Sequence, residues 1–354
     1  MNSHSKVLIL SLGRRGGSVR YGASIIEAMT GVPKETFVSK FSREAHPRGA
    51  IQIPTYRNKL EFIFSSMIIL PFLWLYILVG LIGGRYKCLY TPYTHYWNVV
   101  FVLTFKLFNK KTVSTVHDGI PHTGDGNWWE KCINYATLRY SSQLIFLTEH
   151  VKNYLVSKVG LKSECTVIPH GLLEINGTEV HQREFRSKVN VLFLGRVCHY
   201  KGVDLLLNAI PFMNQERLGK VVIAGEVSES QKHLKETHLD VEWIDKWLSE
   251  EEMARELNLA DILILPYREA TQSGVMTIGL QLELPIISTN LGGLIEQCDQ
   301  EECVFVTAAS EAIAKAFDEL VEDEEKVKLL RRKMKEKKKG LTWDSISQEI
   351  IKCL

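Results

Sequence analysis

The chain has 354 residues, 45% of them hydrophobic and 24% charged, which excludes a disordered segment and is too long for one ordinary core; two domains of roughly 150–180 residues are expected. Seven cysteines stand scattered at 88, 132, 165, 198, 298, 303 and 353 with no CxxC, a pattern of reduced thiols in a cytoplasmic protein that implies neither zinc nor disulfides. The net charge of +2 hides halves of opposite sign: residues 1–180 carry 20 Lys+Arg against 11 Asp+Glu, and the remainder 23 against 30, so the front half is expected to meet an anion such as phosphate, nucleic acid or a membrane surface.

The opening MNSHSKVLILSL reads as a strand, not a signal peptide, because its apolar run is short and leads into Gly and Arg without a cleavage site. Strands are expected at 6–12, 87–93, 112–118, 142–148, 164–170, 190–196, 220–226, 261–267 and 285–289. Between them lie helical patterns. Near-continuous apolar strands alternating with helices predict parallel sheets covered on both faces, with ligands at the carboxyl ends of the strands. The polar, glycine-bearing stretch from Gly171 to Lys188 marks the break between domains.

Residues 62–84 (FIFSSMIILPFLWLYILVGLIGG) carry no charge. They are long enough to cross a bilayer. Ser65, Ser66 and Pro71 interrupt the run, however, and one lone span would leave the βα pattern on two sides of a membrane. A buried or interfacial helix pair is therefore expected, with peripheral contact to an anionic membrane as the second reading. Residues 322–340 run from acidic to basic before Gly340, which suits a solvated helix. A short amphipathic helix anchored by Trp343 closes the chain.

Four loops could carry chemistry. SLGRRGGSVRYG (11–22) is glycine-rich but is not GxGxxG, and no acid ends the second strand at the dehydrogenase interval. TVHDGIPHTGD (115–125) places His117, Asp118, His122 and Asp125 after a strand. Strand neighbours point to opposite faces, so a direct His117–Asp118 relay is disfavoured, and HDxxxH fits no common metal site. LGRVCHYKG (194–202) could clasp a diphosphate between Arg196 and Lys201, or could be an exposed basic turn. In TQSGV (271–275), free amides at a helix N-terminus could hold phosphate, or Ser273 or Thr271 could serve simply as the cap.

Taken together, LGR–x4–KG, VVIAGE, ADILILPY–TQSG–P–GGLIE and a closing Trp-bearing helix, with VIPHG and TVHDGIPH before them, resemble the nucleotide-sugar-dependent glycosyltransferases of family 4. The likeness covers nearly the whole chain and is strongest from Cys165 to Glu296. It implies the α/β GT-B fold: two Rossmann-like domains with parallel sheets facing across a cleft. Residues 1–175 with helix 341–354, crossing back, would bind the acceptor, and residues 186–340 the nucleotide sugar. It further implies transfer with retention of configuration from a nucleotide diphosphate sugar to a saccharide or lipid-linked acceptor, in surface polysaccharide or glycolipid synthesis, with no metal or other cofactor.

Carried over by position, Arg196 and Lys201 would neutralise the diphosphate. Thr271, Gln272, Ser273, Gly274 and Val275 would cradle it. Gly16 and Gly17 would let the first loop approach it. Gly225 would open the base pocket that runs to Trp247, and His117 would face the transferred sugar. Family members carry two glutamates across this loop and helix; here those positions are Thr271 and Gly279. Glu269 and Glu296 are the acids expected to stand in. A sugar-nucleotide epimerase or a non-catalytic nucleotide-sugar-binding partner would share much of this pattern. Nucleic-acid binding is disfavoured, because the basic half lacks aromatics interleaved in a basic stripe. The expected location is cytoplasmic, peripheral at the inner face of the plasma membrane.

Overall fold

The structure, a computed structural model, describes residues 5–44, 46–117, 128–161, 163–180, 187–238 and 240–354, with the backbone alone at 128–130. The chain divides into two compact units, Met1–Gly171 with Thr342–Leu354, and Leu172–Leu341. His122, Asp125 and Asp118 of the histidine loop lie outside the described residues, as does the middle of the expected linker.

The first unit runs β1 (Lys6–Ser11), α1 (Gly17–Ala28), β2 (Lys34–Ser39), β3 (Ile51–Ile53), α2 (Lys59–Met67), α3 (Ile69–Ile82), β4 (Tyr86–Thr91), α4 (Asn98–Leu107), β5 (Lys111–Val116), α5 (Trp128–Tyr140), β6 (Gln143–Phe146), α6 (Glu149–Val159) and β7 (Glu164–Val167). The second runs β8 (Val189–Leu194), α7 (Val203–Ala209), β9 (Leu218–Ala224), α8 (His233–Thr237), β10 (Glu242–Ile244), α9 (Glu250–Leu259), β11 (Ile262–Leu265), α10 (Gly274–Leu282), β12 (Ile286–Thr289), α11 (Gly292–Gln297), β13 (Val304–Val306), α12 (Ser310–Glu322) and α13 (Glu324–Lys338). The closing helix, α14 (Trp343–Lys352), belongs to the first unit.

Each unit holds one sheet, ordered β3-β2-β1-β4-β5-β6-β7 in the first and β10-β9-β8-β11-β12-β13 in the second. All described strand pairs are parallel. The two Rossmann-like parallel sheets expected from the sequence are thus present. The central strands are apolar throughout because helices cover both faces: Val7, Leu8, Ile9 and Leu10 are fully buried, as are Ile262 to Leu265. In each sheet the strand order reverses once, between β1 and β4 and between β8 and β11. Ligands of open parallel sheets bind at the carboxyl ends flanking such a reversal.

The first unit ends at Gly171 rather than at 175. Leu172, Leu173 and Ile175 are buried, and Leu173 joins the second unit, its N–H donating to Thr277 Oγ1 at 3.4 Å. α14 packs on α1 through Ile346, Ile350 and Cys353, which share one core cluster with Tyr21, Ile25 and Ile26. Ser347 Oγ donates to the Ala28 carbonyl at 3.2 Å. Trp343 lies so close to Gly171 that a Cβ there would meet its ring at 2.6 Å.

Candidate functional site

In the second unit the loops after β8 and β11 flank the reversal, and they are bound to each other. Gly202 holds φ +63°, and a Cβ there would stand 1.9 Å from the Pro266 carbonyl oxygen. Only glycine allows that approach in that conformation. Arg268, just after β11, forks onto Asp204 at the start of α7, Nη1 to Oδ1 and Nη2 to Oδ2, both at 2.6 Å. Its backbone N–H also donates to the Tyr200 carbonyl at 2.8 Å. A bidentate guanidinium–carboxylate pair fixes orientation as well as distance. The loop after β9 closes on the same strand end: Gly225, at φ +148°, packs so that a Cβ would meet the Gly195 oxygen at 2.0 Å. Asp245 then anchors that loop, accepting from the Val227 N–H at 2.8 Å and from Lys235 Nζ at 2.7 Å.

Tyr267 joins the two motifs. It is fully buried. Lys201 Nζ sits 3.7 Å from the centre of its ring, and its hydroxyl lies 3.3 Å from Ser273 Oγ. Burial acts most strongly on Lys201 and works against its charge; Tyr267 and Tyr200 beside it outweigh that, and its pKa is raised. Among the described residues no carboxylate lies within ion-pair distance of Lys201, so its charge rests on aromatic faces and stays available to an anion. Arg196 is exposed at the β8 end, beside Tyr200, whose pKa is raised mainly by burial.

Ser273 is the cap of α10, its Oγ accepting from the Met276 N–H at 3.3 Å. The Ser273 amide is itself committed, donating to Gln297 Oε1 at 2.6 Å, while Gln297 Nε2 donates back to the Ser273 carbonyl at 3.4 Å. The expected amide cradle of Gln272 to Val275 is therefore narrower: Gly274 and Val275 are the first-turn amides that the helix leaves over. Thr271 is buried at 2% exposure, and Gly293 in α11 presses on it, with only 2.0 Å between a built Cβ and the Thr271 oxygen. Gln272 is half-buried, with its Oε1 enclosed and without a hydrogen-bond partner.

The acids stand elsewhere. Glu269 is half-buried in the loop after β11, its N–H 3.4 Å from the Tyr200 carbonyl. Glu296 is exposed on α11; the residue of that helix that grips the loop is its neighbour Gln297. Gly279 faces the sheet, where a Cβ would meet Ile286 at 2.8 Å and Leu263 at 3.0 Å, so that position has no room for a carboxylate. Glu283, at φ +54°, caps α10 and pairs with Lys338 of α13 at 3.1 Å. It is a structural residue.

In the first unit, Gly16 holds φ +104° at the start of α1 and its carbonyl accepts from Val19 and Arg20, while Gly17 is open on its Cβ side. His117, 4% exposed at the β5 end, has Nε2 at 3.0 Å from the Pro92 carbonyl. A carbonyl only accepts, so Nε2 carries the proton. Its ring stands edge-on to Tyr21 at 4.6 Å and 6.1 Å from His170; Tyr21 and His170 each meet Trp343, at 5.5 and 5.9 Å. His117 is thus part of a packed ring cluster, not a solvent-facing base.

Residues 188–323 match the family model described as glycosyl transferases group 1. That segment contains the β8 and β11 loops and the whole Lys201–Tyr267–Ser273 contact. The chain is 22% identical over 201 residues to a GDP-mannose:glycolipid 4-beta-D-mannosyltransferase of Xanthomonas campestris pv. campestris, a match covering 53% of each chain. It therefore spans about half the length of that relative. Among solved structures, a sucrose-phosphate synthase from Thermosynechococcus elongatus matches with a TM-score of 0.77 at 15% identity, over 98% of both chains. HepE from Anabaena in complex with UDP-glucose matches with a TM-score of 0.73 at 14% identity, over 99% of both. These neighbours establish the two-unit glycosyltransferase fold.

Proposed function

We propose that the chain is a retaining glycosyltransferase of the family 4 type, with a TQSG loop in place of the spaced glutamates. It moves a sugar from a nucleotide diphosphate sugar to a saccharide or lipid-linked acceptor. The observation that carries this reading is the meeting of Lys201 and the α10 N-terminus on Tyr267 at the strand-order reversal of the second unit. Cation, helix end and glycine-lined backbone converge there, and a diphosphate asks for all three. As the sugar–phosphate bond breaks, negative charge grows on the leaving diphosphate. Lys201, Arg196 and the Gly274 and Val275 amides would stabilise it. The leaving oxygen can itself take the acceptor proton, so no protein nucleophile is required. The name of the Xanthomonas relative supports a glycolipid acceptor. It also specifies a β-linked product, so the anomer formed here is the test of retention.

Turnover of UDP-glucose or GDP-mannose should depend on added acceptor. Turnover without acceptor would point to an epimerase instead. Donor binding with no turnover across an acceptor panel would point to a non-catalytic partner.

A further inference from the structure

Helices α2 and α3 each leave a stripe of large apolar side chains exposed. On α2, Leu60, Ile63, Phe64 and Met67 fall at i, i+3, i+4 and i+7 and are 54–71% exposed. On α3, Phe72, Leu75, Val79 and Ile82 form a second stripe, 52–71% exposed. Ile68 stands at the 41° bend between them. The opposite side of α3 is core: Leu73, Ile77 and Leu81 are buried, and Gly80 lies against the Tyr86 ring. Ser66 and Trp74 turn polar atoms the same way, with Trp97 Nε1 donating to Ser66 Oγ and Trp74 Nε1 to Thr104 Oγ1, both at 2.9 Å. A helix that faces water shows the reverse arrangement.

This buried side excludes a span. The pair has the length and apolar composition to cross a membrane only if taken as one bent unit. Lipid would then have to surround α3, whereas one stripe of it belongs to the sheet's own packing. Exposed cations stand at both ends of the helix pair, Arg57 and Lys59 at the start of α2 and Arg85 and Lys87 just after α3; Arg85 lies 3.8 Å from Glu35, and the one acid in the sequence between residues 57 and 111 is Glu61. Glu61 is tied to Arg57 at 2.8 Å. A second copy of the chain seated on this face would bring like charges together. An apolar centre with basic ends complements the headgroup–acyl boundary of an anionic bilayer.

We propose that α2 and α3 are an in-plane anchor that docks the first unit on an anionic membrane surface, with the outward stripe sunk to interfacial depth and the flanking Lys and Arg side chains among the headgroups. Tyr56 links the anchor to the glycine-rich loop: Phe62 meets Tyr56 at 4.9 Å, and Arg14 lies over the Tyr56 ring at 4.7 Å. The inference rests on these helix surfaces and not on the transferase reading.

Co-sedimentation tests it. The full chain should pellet with mixed phosphatidylcholine–phosphatidylglycerol vesicles and far less with phosphatidylcholine alone, and an alkaline carbonate wash should release it. The double variant Phe72→Asp/Val79→Asp should bind at least about tenfold more weakly, since two exposed apolar side chains become charged. Far-UV circular dichroism and an unchanged melting temperature show that the variant is folded. Undiminished binding by the variant, no binding by the parent, or retention after the carbonate wash overturns the proposal. So does a dimer in solution that the same two substitutions dissociate while the parent ignores vesicles.

Discussion

Gly293→Ala is expected to destabilise the second unit and to disable its ligand loop together. The added Cβ would stand 2.0 Å from the Thr271 oxygen, 2.4 Å from the Thr271 carbonyl carbon and 3.1 Å from the Ala270 oxygen. These are backbone atoms and cannot rotate away. Either α11 moves out or the loop moves in, and each movement breaks the paired Gln297–Ser273 bonds. Overpacking of this kind costs about 3 kcal/mol, which for a unit of this size lowers the melting temperature by roughly 6–12 °C. Differential scanning fluorimetry reads that loss, and the same samples should show a reduced shift with UDP-glucose. An unchanged melting temperature with an unchanged ligand shift would mean that Gly293 does not support the loop.

Mild acid should unfold the first unit before its carboxylates titrate. His95 and His170 are both held neutral, with pKa values pushed down to about 3. For each, burial is the main cause; the Arg14 charge adds to it at His95, and His117 adds to it at His170. The hydrogen bonds agree for His95. Its Nδ1 accepts from the Trp97 N–H at 3.2 Å, so its proton sits on Nε2, facing the Tyr56 hydroxyl at 3.1 Å. In the unfolded chain both rings titrate near 6.5. A depressed folded pKa gives stability that is whole above about pH 6.5 and is lost as pH falls toward 3. By pH 5 each histidine should cost about 2 kcal/mol. Melting temperatures measured between pH 7 and 5 should fall steeply, and His95→Gln should flatten the slope, because glutamine does not titrate. A flat profile over that range contradicts this reading of the two rings.

Much of the fold was legible in the sequence, for a physical reason. All nine expected strands exist: eight are interior strands, which must be apolar nearly throughout when both faces are covered, as the run DILILP shows, and β7 is an edge strand. The missed strands lie toward sheet margins: β3, β10 and β13 are three-residue edges, and β2, KETFVS, begins with charge. Runs that short carry no periodicity. The candidate site was legible where it is local, as glycines and cations at strand ends. It was not legible where it is tertiary. Tyr267 looked like the end of a strand, Arg268 and Asp204 are 64 residues apart, and Gln297 reaches Ser273 across 24. Glu296 drew attention as an acid although its amide neighbour makes the contact. The charge-free stretch 62–84 could be read for its apolarity but not for its facing, which depends on the core it packs against.

The central claim is that Arg196, Lys201 and the α10 N-terminus form a diphosphate site. Isothermal calorimetry with UDP-glucose and GDP-mannose on the parent chain and on the Arg196→Ala and Lys201→Ala variants tests it most directly. The account predicts that one of these donors binds and that each substitution weakens it by about 1–3 kcal/mol, the range for charge-assisted hydrogen bonds. Equal donor affinity in the parent and both variants would contradict it.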